Sequence, residues 1–468
     1  MDTIALLQWT VVLTSSLLLF FLSPVAKTRK GFFSGSSNQA KEPGLMLITA
    51  SLAMSWIMAK SVTNTANLGA NFGMVGGLTY AVYYLSFIVA GIIIYQLRVN
   101  GKFESIHQFL QTRFGRSAIV LFTLIIGIRL FNEVWSNTAV IGSYFGEPGS
   151  TGYIAAVLIF TSLTLGYSLK GGLRSSLITD AFQMILFGVL LFTVLGIIFS
   201  QEKSVVELAS TGEWSMSTGL NLFFVALIQI FSYPFHDPVL TDRGFIAKPK
   251  KTLKAYLLAS LLGFTSITLF GFIGIYAGEL GIAENAALEV SRVMGVAIAL
   301  LMNFIMITSA ASTLDSTFTS VAKLVVVDLN KKGTVTLTKG RMVMILIAVG
   351  GSIPLFFSPE VLSATTISGT MVLGLAPIFL LWKMKAPKLS FQLTFWIGVG
   401  AGLVLLFKLL PTSLYLSSGP YAELLSINVY GTVLAFLGYL LPFYIRVLRR
   451  VFIIKRTRKS LYLRLATA

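Results

Sequence analysis

The stretch SLAMSWIMAKSVTNTANLG, residues 51–69, changes character halfway along an apolar segment. Its first half is apolar, whereas its second half carries Lys60, Ser61, Asn64 and further hydroxyls and amides. A helix that crosses a bilayer must satisfy its backbone polar groups internally, unless it lines a cavity or packs within protein. A span that becomes this polar is therefore predicted to be a broken helix, whose freed carbonyls can face an ion. The alternative is an ordinary helix that ends early.

A second stretch, FFVALIQIFSYPFHDPVLTDRG at residues 223–244, is also interrupted. Pro234 and Pro238 lack the amide hydrogen that a helix interior requires and disfavour its continuation. Apolar runs of about 20 residues divide the chain into about thirteen spans, and the two interrupted ones are the second and the seventh. Because the offset of five is odd, two five-span halves have opposite orientations. This predicts an inverted repeat with its site where the two broken helices meet.

Four regions follow from this repeat. The predicted division is an extra N-terminal span with its loop at 1–44, a first repeat at 45–200, a second repeat at 201–388, and extra C-terminal spans with a basic tail at 389–468.

Composition and charge support a multi-pass membrane protein. Of 468 residues, 55% are hydrophobic and 12% are charged, which is more apolar surface than one soluble core can bury. The net charge of +18 does not indicate nucleic acid, because 31 of the 36 Lys and Arg residues fall in alternate short loops and the C-terminal tail. This bias predicts the cell inner (plasma) membrane, with the N-terminus outside and the C-terminus cytoplasmic.

Several classes of site are disfavoured by the composition. The chain has no cysteine and only two histidines, which excludes thiol chemistry and argues against a multi-histidine metal centre. Neither an HExxH nor a GxSxG motif occurs, so we expect no enzyme.

Ionisable residues lie within the predicted spans, where each costs at least about 2.5–3.5 kcal/mol on insertion scales. They are Lys60, Arg129, Glu133, Asp180, Asp237 and Asp315, and they predict a hydrated cavity or solute path.

The ninth span, ITSAASTLDSTFTSVAKLVVVD at residues 307–328, carries the sharpest motif. Ser309, Ser312 and Thr313 share one helix face because their spacing is i, i+3 and i+4. A small hard cation needs several oxygen ligands, which hydroxyls and the carbonyls of a broken helix supply. The alternative is close packing of small residues, with hydroxyls bonded to their own helix. The sequence leaves four roles open for Asp315: lining the same path, binding a second ion, accepting a proton or forming a salt bridge.

Three stretches resemble the sodium:solute symporter family, which includes sodium-coupled sugar, proline, pantothenate, sialic acid and iodide transporters. The first is YSLKGGLRSSLITDAFQ at 167–183, similar to the family's GGL…TD..Q signature. The second is the Ser–Thr pair of the ninth span, at a fixed distance before Asp328. The third is TDRGFIAKPKKTLKAY at 241–256, similar to the family's QR.L.AK loop.

The resemblance implies an all-α fold of the LeuT type, a five-plus-five inverted repeat with extra N- and C-terminal helices. It also implies a sodium ion as the co-transported species. The implied ligands are the hydroxyls of Ser312 and Thr313 and the carbonyls of Ser309, Met54 and Ile57, with Asp180 nearby. An alternative role for Asp180 is a salt bridge with Arg174 or Lys170.

The resemblance also implies a solute site at Lys60, Ser61, Arg129, Glu133 and Tyr233. Tyr233 can instead be an interfacial aromatic, and Arg129 can simply pair with Glu133 at i+4. This charged set is unlike a neutral sugar site, so either the solute carries charge or these residues pair with one another.

The predicted function is sodium-coupled symport of a small polar or charged organic solute into the cell by alternating access. The expected partners are the solute, sodium and the lipid bilayer, with no nucleic acid, and the expected state is a monomer or weak oligomer. A proton-coupled transporter and a transporter-like membrane sensor are the alternatives. For the sensor we expect an attached signalling domain, and the tail after Arg446 is short.

Overall fold

A computed structural model describes residues 3–37, 41–200, 204–329, 333–357 and 361–466. Within those ranges every regular element is helical. Eight of the described helices are long and apolar enough to cross a membrane, and a ninth is added if one bent pair counts as a single span. The prediction of an all-α, multi-pass membrane protein is confirmed.

The main helices, in chain order, are α1 Thr3–Leu22, α2 Leu45–Trp56, α3 Ala59–Phe72, α4 Met74–Val99, α5 Ile106–Phe114, α6 Arg116–Ser143, α7 Thr151–Phe199, α8 Leu220–Gln229, α9 Pro238–Arg243, α10 Pro249–Glu279, α11 Ala286–Val293, α12 Val296–Lys323, α13 Leu337–Ser352, α14 Val361–Met371, α15 Leu375–Leu380, α16 Lys388–Leu406 and α17 Ala422–Ala466. Shorter helical segments are Arg29–Ser34, Tyr83–Leu85 (within α4), Val205–Ala209, Met216–Thr218, Tyr233–His236, Leu324–Asp328, Ile353–Phe357 and Thr412–Leu414.

Each of the thirteen predicted spans coincides with helix in the described ranges. Fewer of the described helices are long and apolar enough to cross a membrane individually, because several predicted spans are interrupted and α7 contains two of them. A straight helix of 49 residues would be about 74 Å long, more than twice the hydrocarbon core. The kink is at Gly172, whose φ of 55° suits glycine; a Cβ there would lie 2.4 Å from the Phe32 carbonyl oxygen.

Loops that the charge pattern assigns to the same side of the membrane contact one another, and the side rich in Lys and Arg is called the basic face. On the basic face, Arg98 Nη1 donates to the Gly244 carbonyl at 2.6 Å, and Arg174 Nη1 donates to the Ser36 carbonyl at 3.1 Å. On the other face, contacts join Asn71 to Ala283, Met74 to Thr211 and Asn221 to Ser418. This is the arrangement that the alternating loop charges require.

Glycines bring α3 into close contact with α10. A Cβ on Gly69 would lie 2.7 Å from the Gly271 carbonyl oxygen, and one on Gly274 would lie 2.0 Å from the Ala66 carbonyl oxygen. Small residues allow this backbone approach, on which helix packing in membranes depends. The second half of the first broken helix is therefore held against a long, continuous helix.

We expect Gly274→Ala to lower the thermal stability of the detergent-purified protein. The added methyl group meets the backbone of Ala66, and such overpacking costs about 1–3 kcal/mol. Gly188→Ala is the matched control, because no heavy atom lies within 4 Å of its added Cβ and alanine favours helix. Thermal unfolding followed by tryptophan fluorescence measures both; equal melting temperatures would contradict this packing.

Candidate ion and solute site

The first predicted break is present between α2 and α3. The two helices meet at an angle of 57°, and Ile57 and Met58 have ψ values of 65° and 148°. Carbonyls in the last turn of a helix lack partners within that helix. Met54 lies in the last turn of α2 and Ile57 lies in the break, so both predicted carbonyl ligands lie where the helix is open. The prediction of a broken helix is confirmed.

The second interruption lies beside the first. After α8, a short helical turn at Tyr233–His236 leads to Asp237, which caps α9 by accepting from the Val239 amide at 2.9 Å. Trp56, the last residue of α2, donates from Nε1 to Asp237 Oδ2 at 2.8 Å. The two broken segments therefore meet in the protein interior, as predicted.

The hydroxyl face of α12 packs against the first break. The Thr313 hydroxyl lies 3.4 Å from the Ser55 carbonyl oxygen and 3.0 Å from the Ser309 carbonyl oxygen. The Ser312 hydroxyl donates to Asp180 Oδ1 at 2.5 Å. These side chains are buried, so this face does not contact lipid. The structure thus brings together Ser309, Ser312, Thr313 and Asp180, and the α2 carbonyl that Thr313 contacts belongs to Ser55, one residue after Met54.

The cationic partner of Asp180 differs from both residues proposed as alternatives. Arg243 Nη2 lies 3.7 Å from Asp180 Oδ2. Arg174 and Lys170 instead donate to the carbonyls of Ser36 and Phe20, on the basic face. Arg243 follows the second break, so its approach to Asp180 joins the second interrupted segment to α7. The only indication of this contact in the sequence is the arginine of the TDRG stretch, residues 241–244.

Asp315 lies in the same buried cluster. Its two carboxylate oxygens accept hydrogen bonds from Ser176 and Thr179, each at 2.8 Å. In the part of the chain that the structure describes, no Lys or Arg lies within 4.0 Å of Asp315, which disfavours the salt-bridge alternative. Arg243 therefore pairs with Asp180, whereas Asp315 is held by hydroxyl donors.

Further hydroxyls complete this cluster, and the sequence analysis did not identify them. Ser51 donates to Asp180 Oδ2 at 2.5 Å, and the Ser55 and Ser316 hydroxyls are 2.8 Å apart. Arg243 donates to Ser51 at 2.8 Å and to Ser316 at 2.7 Å. Ser51 and Ser55 share one face of α2 at i, i+4, and that spacing was the available signal. The result is an interior in which hydroxyl and carboxylate oxygens surround a single guanidinium.

A small cavity lies on the α3 side of the break. Its lining residues are Trp56, Met58, Lys60, Ser61, Tyr80, Tyr83, Tyr84, Arg129, Tyr233 and Thr365. The space open to the centre of a water molecule is about 20 Å³, which suffices for roughly one water. The cavity is therefore too small for an organic solute in this conformation, and solute binding requires it to widen.

The predicted solute residues converge at this cavity. Lys60 Nζ lies 2.7 Å from Glu133 Oε1, and Arg129 also pairs with Glu133. Arg129 Nη1 donates to the Tyr233 hydroxyl at 2.9 Å, and Nη2 lies 3.2 Å from Asp237 Oδ2. These charged residues therefore pair with one another. Lys60, Arg129 and Tyr233 line the cavity, as does Ser61, whereas Glu133 is behind the lining.

Comparisons with known proteins place this geometry in context. No family model matches the chain. In sequence, 232 residues are 25% identical to sodium/myo-inositol cotransporter 2 of Bos taurus, covering 46% of this chain and 32% of that relative. The chain thus matches about a third of the length of that curated relative.

Among solved structures, a Na⁺-coupled sialic acid symporter in its substrate-bound outward-open state matches with a TM-score of 0.65 and 13% identity, covering 92% of this chain and 98% of that one. The resemblance to the sodium:solute symporters is confirmed. Mhp1, a nucleobase-cation-symport-1 family transporter, matches with a TM-score of 0.55 at 13% identity, covering 89% of this chain and 94% of that one. MhsT in complex with L-phenylalanine matches with a TM-score of 0.54 at 13% identity, covering 89% and 99%. The fold is of the LeuT type, and these relatives are membrane transporters rather than enzymes.

We expect Arg243→Met to destabilise the purified protein strongly. The substitution leaves Asp180 buried without its cationic partner, and breaking a buried pair costs about 3–5 kcal/mol. Lys251→Met is the control, because its pair with Glu42 at 3.6 Å is partly exposed and such pairs contribute about 1 kcal/mol or less. Thermal unfolding compares the two variants, and a milder effect of Arg243→Met than of Lys251→Met would contradict the assigned ion pair.

Proposed function

We propose that this protein is a secondary active transporter that couples inward movement of sodium to import of a small polar or charged organic solute. One observation carries the proposal: the hydroxyls of Ser312 and Thr313 lie beside Asp180 and against the carbonyl end of a broken helix. A small hard cation needs this combination of hydroxyl, carbonyl and carboxylate oxygens.

The proposed ion site uses the hydroxyls of Ser312 and Thr313 and the carbonyls of Ser309, Met54 and Ile57. Ser312 and Thr313 now donate to Asp180 and to backbone oxygens. Rotation of these hydroxyls would turn their lone pairs toward the ion without moving the helices. Asp180, whose cationic partner is Arg243, would then offset part of the charge of the ion from the adjoining cluster.

The broken helix offers a direct route for coupling ion and solute. Ser55, on α2, contacts the proposed ion site, whereas Lys60, on α3, lines the solute cavity, and only Ile57 and Met58 separate the two helices. An ion that orders this break also fixes the position of the cavity wall. Solute then binds more tightly when sodium is present, and sodium binds more tightly with solute by the same factor.

Alternating access follows from the closed cavity. With room for about one water, the site must open to one side and then to the other. We assign the two repeats to 45–200 and 201–388, with Tyr233 moving on the inward side to release the solute. The proposed orientation places the basic face in the cytoplasm and the N-terminus outside, in the plasma membrane, with the protein a monomer or weak oligomer. A potential of 100 mV then contributes about 2.3 kcal/mol per charge.

We expect the double variant Ser312→Ala/Thr313→Ala to raise the sodium concentration for half-maximal thermal stabilisation at least tenfold, because it removes two proposed ligands. The measurement titrates purified protein with NaCl against KCl at constant ionic strength and needs no solute, since a bound ion stabilises the native state by mass action.

Thr308→Ala is the matched control, because Thr308 lies on the same helix and its hydroxyl donates to the Phe304 carbonyl. Equal stabilisation of the wild-type protein by sodium and potassium, or an unchanged sodium requirement in the double variant, would contradict the proposed site. Stabilisation that followed pH and not sodium would favour proton coupling instead.

A further inference from the structure

The four charged side chains around the solute cavity are not equally placed. The two cations, Lys60 and Arg129, are part of the cavity wall. The two anions, Glu133 and Asp237, are not among its lining residues: Glu133 pairs with Lys60 Nζ at 2.7 Å and also with Arg129, and Asp237 lies 3.2 Å from Arg129 Nη2. The wall facing a solute is therefore positively charged, although the four charges sum to zero.

We propose that the solute is a small organic anion whose carboxylate binds between Lys60 and Arg129. This inference rests on the proposed transport function and names the solute class for that same cavity. Among the described residues, Arg129 Nε is buried without a hydrogen-bond partner. A lysine ammonium has three donors and a guanidinium has five, so Glu133, Asp237 and Tyr233 leave donors for a ligand. Hydrogen bonds from these cationic donors to a carboxylate are charge-assisted and therefore stronger than bonds to a neutral acceptor.

The composition of the wall disfavours a neutral polyhydroxy solute. Each hydroxyl of such a solute accepts and also donates, and its hydrogens need strong acceptors, yet the lining contains no Asn, Gln, Asp or Glu side chain. Lys60 and Arg129 are donors only, and the Trp56 indole already donates to Asp237. The remaining polar groups are hydroxyls, such as that of Ser61. An ionised carboxylate only accepts hydrogen bonds, so it leaves no donor unpaired and suits this wall better.

A cationic solute is disfavoured for a different reason. The rings of Trp56, Tyr80, Tyr83 and Tyr233 form an aromatic wall, and such walls attract cations. Here the Arg129 guanidinium already lies over the Tyr233 ring, with its central carbon 5.2 Å from the ring centroid. A second cation would meet both Arg129 and Lys60 in a site of low dielectric. The rings instead provide apolar contact for the organic body of the acid.

Charge balance links this solute to sodium. The four charges of the cavity sum to zero, so a bound carboxylate leaves a net charge of −1 in the protein interior. A sodium ion at the neighbouring break supplies the opposite charge. In a medium of low dielectric these two charges attract over the short distance that the break spans. A monocarboxylate and one sodium ion therefore favour each other's binding, which a neutral solute does not achieve by electrostatics.

The test compares matched ligands by thermal stabilisation of the purified protein at saturating sodium. The panel contains propionate, lactate, pyruvate and benzoate, the primary amides of these acids, myo-inositol, L-proline and choline. We expect at least one acid to stabilise the protein while its amide, myo-inositol and choline do not. The proposal is overturned if an amide, myo-inositol, L-proline or choline binds as tightly as the best acid, or if sodium stabilises the protein but no acid does.

Variants then locate the carboxylate. Lys60→Gln/Glu133→Gln removes one cation and one anion together, so the interior keeps its charge balance, and Arg129, which loses Glu133, keeps Asp237 as its partner. We expect at least tenfold weaker binding of the acid, with stabilisation by sodium alone retained. In Glu133→Gln alone, the acid binds as tightly as in the wild-type protein or more tightly, because a competing carboxylate is gone.

Undiminished acid binding in the double variant, or tenfold weaker binding in Glu133→Gln, overturns the assigned position. Because sodium alone is measured in every variant, a wrong solute class is distinguished from a wrong ion site.

Discussion

The hydrogen bond between Trp56 and Asp237 joins two interruptions that lie far apart in sequence. Each interruption frees backbone groups that a lipid environment does not satisfy, so neither is stable facing the bilayer. Placing both in the interior, against each other, resolves this constraint. It also creates the one region of the described chain where carbonyls, hydroxyls and ionised side chains from both halves converge.

Two charge clusters with different compositions flank this region. On one side the Arg243 guanidinium pairs with Asp180, and the neighbouring Asp315 accepts from the hydroxyls of Ser176 and Thr179. On the other side Lys60 and Arg129 are balanced by two carboxylates that stand behind the cavity wall. The first environment favours an added cation and the second presents cations to a ligand. A transporter that moves two species together needs such unlike sites in contact through one deformable element.

The sequence was sufficient where local chemistry determines structure. Prolines and a polar half-helix predicted both breaks, and the i, i+3, i+4 spacing predicted the hydroxyl face of α12. It was insufficient where contacts join distant segments. Asp180 pairs with Arg243 rather than with Arg174, and no local sequence pattern indicates which arginine is the partner. The sequence also did not show that Glu133 is absent from the cavity lining. Helical spacing indicates which face of a helix a side chain is on, but not how deep that side chain lies within the bundle.

The central claim is that sodium orders the break between α2 and α3. Hydrogen–deuterium exchange of the backbone amides of residues 54–62, in sodium and in potassium at equal ionic strength, tests it most directly. The account predicts slower exchange of this segment in sodium, because the ion draws the freed carbonyls of the break into one arrangement. Identical exchange in the two salts, or a sodium effect confined to segments away from the break, would contradict it.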